Sequence, residues 1–195
     1  MVAASRGRRA FKRLNRMMLV LWRLGLGPLL NAWPPLGGRI LVLTHRGRVS
    51  GLKRHTPLNY GPVAGGVVCV AGYGERCDWY RNVLAEPNVE VWLPRGRWVG
   101  VATDVSEAAE RVDLMRQVLL ASGFAAVVAG VNPRRLDDAA LAAATRDYRV
   151  IRIDRSGPAG GPAPEDLAWV MRGAAALGAV LAGWAIRRRA GLSRP

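Results

Sequence analysis

Six short runs rich in Val, Ile, Leu and aromatic residues, at 39–45, 54–60, 66–73, 88–93, 97–105 and 148–154, follow one another closely, and each is bounded by Gly, Pro or Asn. Runs of this length and composition read as strands separated by turns. The first three are joined by links too short for the crossover of a dozen or more residues that parallel neighbours require, so hairpins must connect them. No Gly-rich dinucleotide fingerprint and no P-loop is present to favour a doubly wound sheet. The expectation is an α+β domain built on a small antiparallel barrel. Helical inserts are predicted over 78–85 and 107–120, with Asp78 and Ser106 as their N-caps, and over 124–144 with a break near Asn132-Pro133.

Between the first two runs lies Gly47-Arg48-Val49-Ser50-Gly51, followed by Arg54, Thr56 and Pro57. Glycines at both ends permit a tight reversal and a close approach of backbone N–H groups to a ligand. Two guanidinium forks and a hydroxyl are suited to phosphate or carboxylate. The turn is therefore predicted to be an anion cradle.

Charge placement agrees. The net formal charge is +15, yet residues 1–74 hold twelve Lys or Arg and no carboxylate, while the remainder balances seventeen basic against fourteen acidic residues. A front half of this kind attracts anionic ligands or anionic lipid. Nucleic acid is not the expected partner, because no recognisable module is present and the aromatics are not spaced as a stacking platform.

The chain divides into a basic amphipathic helix and connector (1–37), the barrel domain (38–155), a Pro/Gly linker (156–164) and an apolar helix with a basic tail (165–195). In the first part Phe11, Leu14, Met18, Leu21 and Trp22 recur at helical spacing among five cations, and Pro28, Pro34 and Pro35 are expected to end the helix. That composition fits an interfacial membrane helix or a lid across the domain. Arg8-Arg9 suggests an export signal, but the apolar run from Met17 to Trp22 is short and closed by Arg23, so export is not expected. Leu167 to Ile186 holds one charge, Arg172, before Arg187-Arg188-Arg189. A span there would carry the basic tail across the bilayer from a cytoplasmic barrel, against the positive-inside tendency. The expected location is peripheral, on the cytoplasmic side of the plasma membrane, with a single C-terminal span as the alternative.

Cys69 and Cys77 form no CxxC pair and read as free thiols. His45 and His55 flank the basic turn, but two imidazoles without a third ligand make a poor metal site, so no metal is expected and both read as cross-strand or solvent-facing side chains.

The order Gly47-Arg48-Val49-Ser50-Gly51, Arg54, Thr56-Pro57, then Asp78-Trp79-Tyr80-Arg81-Asn82 and Pro87-Asn88-Val89-Glu90-Val91 resembles the deazaflavin (coenzyme F420)-dependent nitroreductase family over roughly 38–154. The resemblance implies a split β-barrel of the FMN-binding type and an oxidoreductase that uses reduced F420. It implies that Arg48, Ser50 and Arg54 hold the phosphate and acidic tail of the coenzyme beside Thr56 and Pro57. Trp79, Tyr80 and Asn82 would flank it, and Ala71 and Gly72 would run along the deazaflavin ring. This chain departs from the pattern at Val49, where Lys is frequent, and at Cys77-Asp78, where His-Pro is common; the family's pocket tyrosines have no counterpart in 124–131.

No Ser-His-Asp order and no catalytic carboxylate pair is evident, so a cofactor is expected to carry the chemistry. The implied reaction is hydride transfer to a small lipophilic acceptor, a quinone or nitroaromatic, with Tyr60, Tyr73 and Tyr80 as candidate proton donors. An FMN-binding split-barrel oxidoreductase and a non-catalytic ligand-binding protein of the membrane surface are the rival readings.

Overall fold

The computed structural model describes residues 14–32, 38–94, 96–128 and 130–160, with isolated positions between 167 and 182. Six strands, β1 (Ile40–Arg46), β2 (Lys53–Val63), β3 (Gly66–Ala71), β4 (Asn88–Leu93), β5 (Gly96–Asp104) and β6 (Arg149–Pro158), close into an antiparallel barrel in the order β1-β2-β3-β6-β5-β4. Closure comes from β1, which pairs with β2 on one edge and, through Val42 to Thr44, with β4 on the other. The barrel thus leaves no long unpaired edge, the usual liability of an antiparallel sheet.

Alternation along the strands divides the apolar residues into two sets. Leu41 and Leu43 of β1, Val67, Cys69 and Ala71 of β3, and Ile151 and Ile153 of β6 share one core cluster, joined by Trp79, Tyr80 and Val83 of the helix Asp78–Ala85. A second cluster sets Val68 and Val150 against Leu114, Met115, Val118 and Leu119 of the helix Arg111–Ala121. A third sets Ile40 and Val42 against Trp22. This explains why β1 is apolar at consecutive positions: the N-terminal helix covers the side that would otherwise face water.

We label that N-terminal helix α1. It covers 14–21, continues through a wider turn, Trp22–Leu26, where Gly25 takes φ +78°, and ends in Gly27–Leu30. Pro28 does not terminate it, contrary to the sequence expectation, because it stands in the first turn after the Gly25 kink, where a missing N–H costs nothing. Trp22 is 2% exposed and meets Trp92 edge-to-face at 6.5 Å. The face expected to meet lipid through Met18 and Trp22 instead packs on β1 and β4, while Leu14, Met17 and Val20 are exposed.

The remaining helices are α2 (Asp78–Ala85), α3 (Arg111–Ala121), α4 (Phe124–Val128) and α5 (Asp138–Ala144). The expected bounds of α2 hold, but Asp78 is its first residue rather than its cap, since its carboxylate is drawn to Arg81 (2.8 Å) and Arg48 (3.3 Å). α3 begins at Arg111, four residues later than the predicted start at 107 behind a Ser106 cap, because the Ser106 hydroxyl is engaged by Asp104 and the Val150 amide, and residues 106–110 form turns. β6 runs on to Pro158, so the first residues of the expected linker pair with Trp98 and Val99 of β5.

Most of the predicted C-terminal helix lies outside the described residues. The Leu167 amide donates to the Arg23 carbonyl of α1 at 2.7 Å. Among the described residues no helix is long and apolar enough to cross a membrane. Both cysteines are free thiols; burial pushes that of Cys69 up to about 12.

Candidate functional site

The β1–β2 hairpin closes with the Gly47 amide donating to Leu52 O (2.9 Å) and the Gly51 amide to Gly47 O (2.7 Å), with Gly51 at φ +65°, a conformation that favours glycine. The turn is then tied to α2. Asn82, 5% exposed, accepts from the Arg48 backbone amide (3.1 Å) and from Arg48 Nη1 (3.0 Å), and Arg48 also reaches Asp78.

Between turn and helix opens a cleft of about 540 Å³ lined by His45, Gly47, Arg48, Ser50, Arg54, Thr56, Trp79 and Asn82 among others. A Cβ at Gly47 would sit 2.9 Å from Ser50 Oγ and 3.6 Å from Arg54 Nε, so a side chain there would fill the space the hydroxyl and guanidinium border. The two arginines differ in state. Arg48 is anchored, whereas among the described residues no acceptor holds the Arg54 guanidinium, which stands exposed at the cleft wall. An anchored fork beside one that no described residue engages is an arrangement able to grip an anion.

A second cavity of about 520 Å³ is lined by Gly72, Tyr73, Gly74, Glu75, Arg76, Asp147, Tyr148 and Arg149. Arg149 pairs with Glu75 at 2.9 Å, and the Tyr148 ring stands 4.0 Å from where a Gly72 Cβ would be. The segment Gly72–Asp78 links this cavity to the cleft.

Of the residues the sequence singles out, Arg48, Ser50, Arg54, Thr56, Trp79 and Asn82 therefore surround one cleft, and Gly72 and Tyr73 line the other cavity. Four lie elsewhere. Ala71 is fully buried in the barrel core, Pro57 is buried in β2 opposite Val42, and Tyr60 is half-buried opposite Cys69, burial raising its pKa. Tyr80 is 3% exposed and donates to Asp104 Oδ2 at 2.5 Å. Burial and that bond push the Tyr80 hydroxyl up to about 12. Burial also works to raise the Asp104 pKa, but bonds from Ser106 and Tyr80 outweigh it and hold the carboxyl below its ordinary value.

Sequence reasoning read His45 only as a cross-strand or solvent-facing side chain and gave Tyr148 no role at the site. His45 is 3% exposed, with Nε2 3.0 Å from Thr56 Oγ1 and Nδ1 3.3 Å from Asn82 Nδ2, and burial pulls its pKa down to about 4. Its partner Asn82 lies 37 residues away, beyond any local pattern. Tyr148 could have been suspected only as an aromatic opening the last strand.

A closed antiparallel barrel with a basic cleft between hairpin and helix is a scaffold that can seat an anionic ligand, and its class is given by the family match. Residues 23–130 match the sequence profile of the F420H2-dependent quinone reductase family, and the chain belongs to that family. Coenzyme F420 is the cofactor of the family, which favours the deazaflavin reading over FMN.

Among solved structures the chain is similar to an F420-H2 dependent reductase (22% identity, 60% of this chain and 94% of that one, TM-score 0.44). It is also similar to the heme storage protein HutZ of Vibrio cholerae (14%, 68% and 87%, 0.43). A third is a putative 5-nitroimidazole antibiotic resistance protein of Bacteroides thetaiotaomicron (11%, 61% and 74%, 0.40). No curated protein sequence matches.

Proposed function

We propose that this chain reduces a lipophilic acceptor of the quinone class with reduced F420, holding the coenzyme's phosphate and acidic tail in the hairpin cleft and its ring toward the Gly72 cavity. The observation that carries the reading is the unengaged Arg54 guanidinium beside Gly47 and Ser50, opposite an Arg48 already fixed by Asn82 and Asp78. When bound, reduced F420 supplies a hydride. The chain's part is to bind, orient and exclude water.

Arg54 and Ser50 grip the anionic tail, Trp79 gives it a flat apolar wall, and Gly72, having no side chain, lets a ring approach the barrel rim. Reduction of a quinone to the hydroquinone consumes one hydride and one proton for a neutral product, or the hydride alone for its monoanion. Of the three tyrosines singled out, Tyr73 lines a cavity and is 70% exposed, so we assign it proton delivery from Oη to the acceptor oxygen. A nitroaromatic is a second acceptor of the same hydride.

The test is a pair of assays. F420 is expected to bind in preference to FMN, and a naphthoquinone to be reduced with reduced F420 but not with a nicotinamide cofactor alone. Equal or tighter FMN binding, or turnover on the nicotinamide alone, overturns the reading.

We propose also that α1 holds the protein against an anionic membrane surface, where a lipophilic acceptor would be met. Leu14, Met17 and Val20 are exposed on a chain of net charge +15, and each Lys or Arg near such a surface contributes about 1 kcal/mol. Co-sedimentation with phosphatidylserine vesicles is expected at low salt, with loss in high salt and in Met17→Glu/Val20→Glu protein. Wild-type protein that stays in the supernatant refutes it.

A further inference from the structure

The bonds behind the cleft have a direction that can be worked out donor by donor. Two N–H groups of Arg48 converge on one atom of the Asn82 side chain, and only the carboxamide oxygen can accept them. The amide is thereby oriented, and its NH2 faces His45 Nδ1 at 3.3 Å. A ring nitrogen facing an NH2 group must be the unprotonated acceptor, so the imidazole hydrogen resides on Nε2 and donates to Thr56 Oγ1 at 3.0 Å. With that lone pair used, the Thr56 hydroxyl has its own proton left over. Among the described residues no further partner takes it, and Thr56 borders the cleft.

We infer that His45 is a positioning residue, held as its neutral Nε2–H tautomer so that the Thr56 hydroxyl points its proton into the cleft and selects an acceptor-only ligand atom, an ionised phosphate or carboxylate oxygen. The inference rests on the reading of the cleft as the seat of the coenzyme's anionic tail, and adds to it the residue that sets the polarity of one wall. The reverse arrangement is disfavoured by geometry: a proton on Nδ1 would oppose the Asn82 NH2, and turning that amide over would set its NH2 against both Arg48 donors. Burial keeps the ring uncharged at neutral pH, outweighing a backbone bond at Arg46 that favours the charged form. His55 meets Thr44 Oγ1 at 3.0 Å in the neighbouring cross-strand pair.

Two measurements test it. Nitrogen-15 spectra of histidine-labelled protein at pH 7, with His55→Gln protein to assign the two rings, are expected to show His45 neutral and protonated at Nε2; a proton on Nδ1, or on both nitrogens, overturns the polarity. In F420 titrations Thr56→Val is expected to weaken binding about tenfold, the order of one hydrogen bond to a charged group, and Thr56→Ser to restore it. His45→Leu should weaken binding in the wild-type background but add nothing to Thr56→Val, while His45→Gln, whose amide can accept and donate at the same two positions, should rescue. Independent, additive losses overturn the inference, as does unchanged binding by folded Thr56→Val. Wild-type protein that fails to bind F420 defeats the coenzyme reading and this contact with it; wild-type protein that binds while Thr56→Val binds equally defeats this inference alone.

Discussion

Alanine in place of Arg54 is expected to weaken F420 binding about ten- to a hundredfold, corresponding to about 1.5–3 kcal/mol for one hydrogen bond between charged groups. The expectation is specific to Arg54 because the two cleft arginines do different work. Arg48 is tied to Asn82 and Asp78, so its removal disturbs the seat of the hairpin on α2 as well as the charge. Arg54 gives up no bond to a described residue when truncated, so Arg54→Ala should leave the thermal unfolding midpoint near that of the wild type while affinity falls. Arg54→Lys keeps the charge but not the planar fork, and should recover only part of the loss. The measurement is a fluorescence titration of F420 at fixed ionic strength, repeated at raised salt. Unchanged affinity in Arg54→Ala would remove the cleft from the coenzyme's path.

The parts of this molecule that were legible in the sequence are those governed by local rules. Strand runs, the glycine-bounded turn and the extent of α2 depend on alternation, turn chemistry and helix periodicity, which act over a few residues. The barrel order β1-β2-β3-β6-β5-β4 was not legible, because β3–β6 and β1–β4 pairing joins segments separated by long stretches of chain. Competition explains the local misses. Asp78 has the composition of an N-cap, yet two guanidiniums outbid the helix amides for its carboxylate. Trp22 has the helical spacing of a lipid-facing residue, yet the outer face of β1 needed a cover. At the site, the cleft-lining cations and hydroxyls were legible as a group because one glycine turn and the strand after it carry them within a few residues of each other. His45 was not, since a lone histidine in a strand carries no sign that an asparagine on a distant helix will orient it. Tyr80 marks the opposite case: the residue was conspicuous, but Asp104 holds its hydroxyl inside the fold.

His45 should also leave a signature in stability. Buried beside Asn82 and Thr56, with His55 and Arg54 adding positive field and a backbone bond at Arg46 opposing them only in part, its imidazole takes up a proton in the folded chain only near pH 4, against an ordinary value of 6.5 when unfolded. The unfolded chain therefore binds the proton first as pH falls, so this group costs no stability above pH 6.5 and costs progressively more down to about 4. At about 1.4 kcal/mol per pH unit, the loss across that window is of the order of 3 kcal/mol, a large fraction of the stability of an ordinary domain. The carboxylates held below their ordinary values, Asp104 and Glu86, act in a lower window: what they contribute is present above the unfolded carboxylate range and is lost as pH falls from there through their lower folded values. Urea unfolding followed by tryptophan fluorescence at steps between pH 7 and 4.5 is thus expected to show a steady decline in the wild type and a much flatter profile in His45→Gln. Equal slopes in the two proteins would show that His45 is not the group that titrates, and would place it in a wetter, less constrained setting than the bonds to Asn82 and Thr56 describe.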